Sequence, residues 1–418
     1  MIKVPSKLYN LCSELKEGNK STEESITNIQ QWLTKNKKKK YLLQNSANYK
    51  CKCNLTPLHL LAAAHAPPDL VAYILQLGKD AIRLKANDGR LPLHCACLKP
   101  CPIIISILLH AYPEAARERD ENGDLPLHLA CSYKAGPEIV RMLIEANLMG
   151  PEVQNYYGKL PLHFACGNNA HPEIVGMLLD VYKKGAAIQD NLGKLPLLWA
   201  CRYGVSIEVL DLLVSAFPEG VDIKDGGSKR RPSEWLKEGA KCNYGNNYKF
   251  LLHKAAAGRF SRQLVKLLLQ AFPESIKEFD RNGLTPLHYA CLKQPADISI
   301  DVVLSLLAAY PSAFTMPNPS GKSPHDLIME ATCKKDEKGM VLLHHVAGCT
   351  KDLSVNALDF LVHINPDSVL LPDRNQMLPF HHACLNSTSS LDVIMRFIQL
   401  YPEGIFSCKL LFLHRSEC

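Results

Sequence analysis

Apolar side chains in this chain come in short bursts at helical spacing, separated by polar turns that contain glycine. Residues 120–147 show the pattern in full. Asp120-Glu-Asn-Gly123 is a turn sequence, with glycine where a positive φ is needed. Pro126 opens a helix, because its missing N–H is one the first turn would leave unbonded anyway. Leu127, Leu129 and Ala130 give that helix an apolar face, and Ser132–Pro137 ends it. Glu138–Asn147 reads as a second helix, with Ile139, Val140, Met142, Leu143 and Ile144 at helical spacing. Neither helix can bury its face alone, so a neighbouring unit has to cover it.

The unit recurs. LPLHCAC at 91–97, LPLHLAC at 125–131 and LPLHFAC at 160–166 are near copies, with looser ones starting at Thr56, Leu195, Thr285 and Leu378. Pro57, Pro92, Pro126, Pro161 and Pro196 are separated by 35, 34, 35 and 35 residues. A fixed period of this length means one supersecondary unit stacked many times. Second helices close on a proline in a shared context: Tyr112-Pro113, Phe217-Pro218, Phe272-Pro273, Tyr310-Pro311, Asn365-Pro366 and Tyr401-Pro402. Each is read as a helix stop.

The T/L-P-L-H-x-A core, preceded by D-x-N-G and followed by a second apolar helix, resembles the ankyrin-repeat family over residues 50–405. The aromatic-Pro-Glu stop resembles ankyrin proteins of algae such as diatoms. The resemblance implies an all-α solenoid of stacked helix pairs with short turn fingers. It also implies that the repeated histidines (His59, His94, His128, His163, His253, His288, His381) are structural. The family's threonine stands at Thr56 and Thr285 but is leucine at Leu91, Leu125, Leu160, Leu195 and Leu378. Where leucine stands, the hydroxyl-to-imidazole bond is lost and the histidine must find backbone partners.

Residues 6–16 and 22–34 read as two amphipathic helices without the signature, which suits a terminal cap. The expected organisation is capping helices and a basic loop over 1–50, then a first array over 51–230. A degenerate half repeat at 231–250 is followed by repeats over 251–322. A second half repeat at 323–341 precedes terminal repeats over 342–418. At each half repeat one helix stands without its partner. The intervening segments, Lys241–Tyr248 and Lys334–Gly339, are polar and are expected to serve as bends or hinges. The last unit is expected to be uncapped, since Ile405–His414 is apolar where a polar helix should follow.

Composition narrows the function. The 418 residues carry a net charge of +7, too modest to argue for nucleic acid. Apolar runs fall short of the ~18 residues that a membrane span needs. Six cysteines (Cys97, Cys131, Cys166, Cys201, Cys291, Cys384) share one repeat position. Equivalent positions lie about 10 Å apart, the spacing of packed helices, which is beyond disulfide reach. With no signal-peptide core at the N-terminus, this points to an intracellular, reducing setting. Cytoplasm is the first expectation, with nuclear entry through Lys37–Lys40 as the alternative.

The chemistry-bearing residues form no catalytic signature and no zinc spacing. No enzyme activity, cofactor, metal or small-molecule substrate is expected. A stacked array offers a long surface, so the expected partner is another protein. Register with the family puts Arg90, Asp124, Tyr156, Tyr157, Lys159 and Lys194 at the turn tips. It puts Lys99, Tyr133, Asn168 and Tyr203 on the concave side of the first helices. Together they outline a Tyr/Lys-lined groove, tyrosine offering a large apolar body with a polar tip. The expected role is scaffold or adaptor. The alternative is a regulatory ankyrin fragment of a larger signalling protein whose effector module lies outside this chain.

Overall fold

Proline sets the start of each first helix in the N-terminal array. These helices are Pro57–Ala63, Pro92–Leu98, Pro126–Ser132, Pro161–Gly167 and Pro196–Tyr203. Their partners are Pro68–Leu77, Pro102–Ala111, Pro137–Ala146, Pro172–Val181 and Ile207–Ala216. The computed structural model describes residues 5–17, 22–36, 54–64, 66–258, 260–349, 354–386 and 390–402. The Lys37–Lys40 run, Cys51–Cys53 and the apolar stretch Ile405–His414 lie outside the described residues. All regular structure among the described residues is helical.

The chain divides into two bodies, Met1–Tyr244 and Gly245–Cys418. In the first, a pair of helices without the signature, Pro5–Glu17 and Thr22–Asn36, precedes the array. Pro5–Glu17 buries Leu8, Leu11 and Cys12 and packs on Pro57–Ala63. Each later first helix lies on the first helix before it, and second helices likewise stack on one another. The core is the strip between the two rows. In the unit at 126–146 it holds Leu127, Leu129, Ala130, Ile139, Val140, Leu143 and Ile144. Each such leucine or isoleucine contributes roughly 1.5–3 kcal/mol when fully buried.

The proline at the end of each second helix does more than stop it. Tyr112 donates its N–H to Leu108, ending the α-helix, and Pro113 then opens a 3-10 helix, Pro113–Arg117, that buries Ala115 and Ala116. Pro218–Asp222, Pro273–Ile276, Pro311–Thr315 and Pro366–Leu370 repeat it. Lys183–Ala187 makes the same turn without proline. The proline is tolerated at its first position, where no N–H is used.

Between units the chain forms a finger. In Asp120–Asp124 the Asp120 carboxylate accepts the N–H groups of Asn122 and Asp124, each at 2.9 Å. Gly123 turns the chain at φ 76°. Fingers are knitted by single bonds: Glu121 N–H donates to Asp88 O, Tyr156 N–H to Asn122 O and Asn191 N–H to Tyr157 O, all at 3.0 Å.

The first body ends with one 13-residue helix, Pro232–Tyr244, packed on Pro196–Tyr203. In the second body, Leu251–Ala257 pairs with Arg262–Ala271, Pro286–Cys291 with Ile300–Ala309 and Pro379–Leu385 with Leu391–Leu400, and Leu342–Cys349 is followed along the chain by Val355–Ile364. Pro324–Cys333 stands without a second helix, so the flanking second helices Ile300–Ala309 and Val355–Ile364 touch each other. The polar Lys334–Gly339 stretch is locally ordered. Asp336 accepts the N–H groups of Lys338 and Met340 at 2.8 Å, making it the finger of the next unit.

Candidate partner-binding surface

The repeated histidine builds the support for this surface. In the unit at 125–132, His128 Nδ1 accepts the Leu125 N–H at 3.0 Å. Its proton therefore sits on Nε2, which donates to the Lys159 carbonyl in the next finger at 3.2 Å. His94 and His163 make the same pair of bonds, their Nε2 atoms reaching Asp124 O and Lys194 O, both at 3.2 Å. Where leucine replaces threonine the imidazole thus caps its helix alone, through backbone partners. At Thr56 and Thr285 the hydroxyl adds a bond of 2.8 Å to the ring. Burial pushes the His94 pKa down to about 4, that of His128 to about 3 and that of His163 to about 4. Both ring nitrogens of these three are occupied by backbone, which leaves none for a metal. Among the described residues no three His, Cys, Asp or Glu side chains gather as a metal site.

A second recurring position lies three residues after the helix-opening proline, facing the finger of its own unit. Phe164, Trp199 and Trp235 occupy it in consecutive units of the first body. Trp199 Nε1 donates to Asp190 Oδ2 and Trp235 Nε1 to Asp225 Oδ2, both at 2.9 Å. Burial alone would raise the Asp225 pKa, but bonds from Ser228, Trp235 and the Lys229 N–H together hold it below the usual range. The rings are thereby fixed in orientation.

Cations fill the spaces between them. Lys159 Nζ lies 5.4 Å from the Phe164 centroid and 4.0 Å from that of Trp199. Lys194 Nζ is 5.3 Å from both Trp199 and Trp235. Arg202 and Arg230 approach the Trp235 ring at 4.9 and 4.3 Å. Tyr203 stacks on Trp199 with centroids 5.9 Å apart and planes 7° apart. Burial lowers the Lys159 pKa, with Lys194 adding to the effect and Asp190 opposing it.

The sequence-expected residues divide accordingly. Lys159, Lys194 and Tyr203 meet in the cation–aromatic stack. Tyr156 and Tyr157 stand at a finger tip, 65% and 57% exposed. Tyr133, Lys99 and Asn168 lie at the C-terminal ends of their first helices, the first two exposed and Asn168 half-buried with its amide on Phe164 O. Arg90 reaches Asp120 at 3.4 Å and Asp88 at 3.5 Å. Asp124 turns inward: it is 7% exposed and accepts the Asn155 amide at 2.8 Å, with its pKa raised by burial. Phe164, Trp199, Arg202, Arg230 and Trp235 were not anticipated. Their signal was present, since the three rings share one offset from Pro161, Pro196 and Pro232.

The fold and this surface define a class: a helical-repeat protein whose side-chain chemistry is spread over successive units. Residues 60–152, 100–186 and 127–226 match the family described as ankyrin repeats (3 copies), so the stretch 60–226 is built of ankyrin repeats. Ankyrin repeats are in general protein-binding modules. No curated protein matches the chain. No described helix is long and apolar enough to cross a membrane.

Proposed function

We propose that this chain is a non-enzymatic scaffold or adaptor that holds a partner protein across the face formed by its first helices and fingers. The observation that carries this reading is the concentration of aromatic surface there. Tyr133, Tyr156, Tyr157 and Tyr203 are all at least 43% exposed, and Tyr203 stacks on Trp199 within the cation–aromatic stack. Exposed tyrosines on a rigid array give contact area at little entropic cost. Affinity then accumulates over several shallow contacts in successive units. The buried, unbridged thiols Cys97, Cys131, Cys166 and Cys201 fit a reducing intracellular setting, with the cytoplasm as the working compartment.

The test is an affinity pull-down from native extract at about 150 mM salt, where long-range charge effects are screened. Wild type is compared with the Tyr133→Ala, Tyr157→Ala, Tyr203→Ala triple variant, and recovered proteins are identified by mass spectrometry. A partner retained by wild type and lost by a variant of unchanged helicity supports the reading. Identical recovery by both overturns the assignment of the face.

A further inference from the structure

The stack at 159–235 has a chemistry that narrows the partner. Lys159, Lys194 and Arg230 each stand two residues before a helix-opening proline, one per unit, and Arg202 faces Arg230 across the Trp235 ring. Arg230 is ion-paired with Glu238 and Glu234. No described carboxylate lies within ion-pair distance of Lys159, Lys194 or Arg202. Asp190 and Asp225 are nearby, but their oxygens are already taken. Asp190 accepts the N–H groups of Leu192 and Lys194 and the Trp199 indole. Asp225 accepts from Ser228, Lys229 and Trp235. The face therefore presents cations that are held in place by rings and make no contact ion pair, with Asp190 acting on Lys159 and Glu238 on Arg202 only at longer range.

We propose that this face binds an extended acidic segment of a partner protein, with Lys159, Lys194 and Arg202 pairing with its carboxylates. The proposal rests on the protein-binding reading above and names its chemistry. Long cationic side chains normally lose rotamer freedom when they pair. Here the aromatic walls have already restricted them, so pairing costs less. Successive units lie about 10 Å apart, which is about three residues of extended chain at ~3.3 Å each. The matching segment carries Asp or Glu at every third position. A nucleic acid would need free ring faces on which to stack bases. On this surface Lys159 and Lys194 lie against Trp199, Tyr203 stacks on it, and Trp235 is bordered by Lys194, Arg202 and Arg230. A methylated cation would meet like charge at each ring.

The experiment titrates the full chain into fluorescein-labelled synthetic peptides and follows anisotropy. One peptide has Glu at every third position in a Gly/Ser background, its control has Gln there, and a third probe is oligothymidylate. The Glu peptide is expected to bind, with the Gln peptide at least about tenfold weaker, the scale set by losing two or three charge pairs. The Lys159→Gln, Lys194→Gln, Arg202→Gln variant is expected to lose about tenfold or more, at unchanged melting temperature. Lys159→Arg, Lys194→Arg, which keeps the charge, is expected to retain binding. Failure of the Glu peptide to bind, equal binding of the Gln peptide, indifference to the Gln variant, or tighter binding of oligothymidylate would each overturn the proposal. If the peptide arm fails while a pull-down partner still depends on Tyr133, Tyr157 and Tyr203, the acidic segment is wrong and the protein-binding face stands.

Discussion

His128 and Lys159 are joined across a unit boundary: the imidazole Nε2–H donates to the Lys159 carbonyl at 3.2 Å while Nδ1 accepts the Leu125 N–H at 3.0 Å. One side chain thus caps its own helix and fastens the next finger. The same finger carries the Lys159 side chain, which lies 4.0 Å from the Trp199 centroid. The buried clip therefore positions part of the exposed surface. His163 repeats the relationship with Lys194, which lies 5.3 Å from both tryptophans.

Removing the clip leaves the buried Leu125 N–H without a partner and takes one of two bonds from the Lys159 carbonyl, which also accepts the Asn155 N–H at 2.9 Å. His128→Leu keeps the volume but strands the Leu125 N–H and removes the cross-unit bond to the Lys159 carbonyl, at an expected cost of about 1–3 kcal/mol. His288 makes a useful comparison, since its Nε2 has no partner at bonding distance. His288→Leu in the second body is expected to cost less. Urea denaturation followed by circular dichroism compares the two; a smaller loss at His128 than at His288 would contradict the clip.

The histidine column also sets a pH dependence. His94, His128 and His163 have folded pKa values of about 4, 3 and 4, below the ordinary histidine value because they are buried. Between those values and about 6.5 the unfolded chain binds protons that the folded chain refuses. The histidine contribution is therefore level above about pH 6.5 and falls as the pH drops, by about 1.4 kcal/mol per unit for each histidine. Asp124, raised by burial, acts in the opposite sense but is one group. Asp280, Asp336 and Asp373 have lowered values, so their contribution holds above the ordinary aspartate range and is lost only at lower pH. The expected result is a clear drop in the urea midpoint from pH 7.5 to 5.5. A flat profile would show that the column is not buried and neutral.

Gly239 tests the end of the first body. A Cβ built there would meet the backbone oxygens of Cys201 and Arg202, the latter at 2.6 Å. The helix Pro232–Tyr244 can lie on Pro196–Tyr203 this closely only because glycine has no side chain. Gly239→Ala is expected to cost about 1–3 kcal/mol, the usual range for overpacking. It should also shift Trp235 away from Lys194 and Arg202. Differential scanning calorimetry and tryptophan emission read the two effects. An unchanged spectrum with a lowered melting temperature would separate packing from the ring stack.

The repeat architecture was legible because LPLH and the turn glycines are local signals, each with its own mechanism. Pro126 could be placed at a helix start from its missing N–H, and the leucine-for-threonine exchange at Leu125 correctly sent His128 to backbone partners. Features that depend on contacts between units were not legible. Pro113 reads as a stop, yet it opens a 3-10 helix because Ala115 and Ala116 have a core to enter. Lys334–Gly339 reads only as a polar break in the period, because polarity alone does not reveal a finger; the Asp336 bonds do. Asp124 occupies the same position before its proline as Lys159 and Lys194, yet it points inward because Asn155 of the next finger meets it. Trp199 and Trp235 share one offset from Pro196 and Pro232 in the sequence, but only stacking of the units brings Lys194 between them.

The cysteine column gives a prediction that needs no partner. Cys97, Cys131, Cys166 and Cys201 are buried and unbridged, and burial raises every one of their thiol pKa values, that of Cys131 to about 12. Alkylation requires both access and thiolate, and these positions supply neither while the chain is folded. Cys333 is exposed. With iodoacetamide at pH 8, mass-spectrometric mapping should find Cys333 modified within minutes and the four column cysteines protected by several orders of magnitude. Their slow labelling should then accelerate with urea in step with loss of helicity, since only opening of the stack exposes them. The clip makes the result directional. His128→Leu loosens the boundary between the units at 126 and 161, so Cys131 and Cys166 should label sooner than Cys97. Uniform acceleration of all four would mean that the array opens as one cooperative body, and the local account of the His128–Lys159 clip would then be wrong.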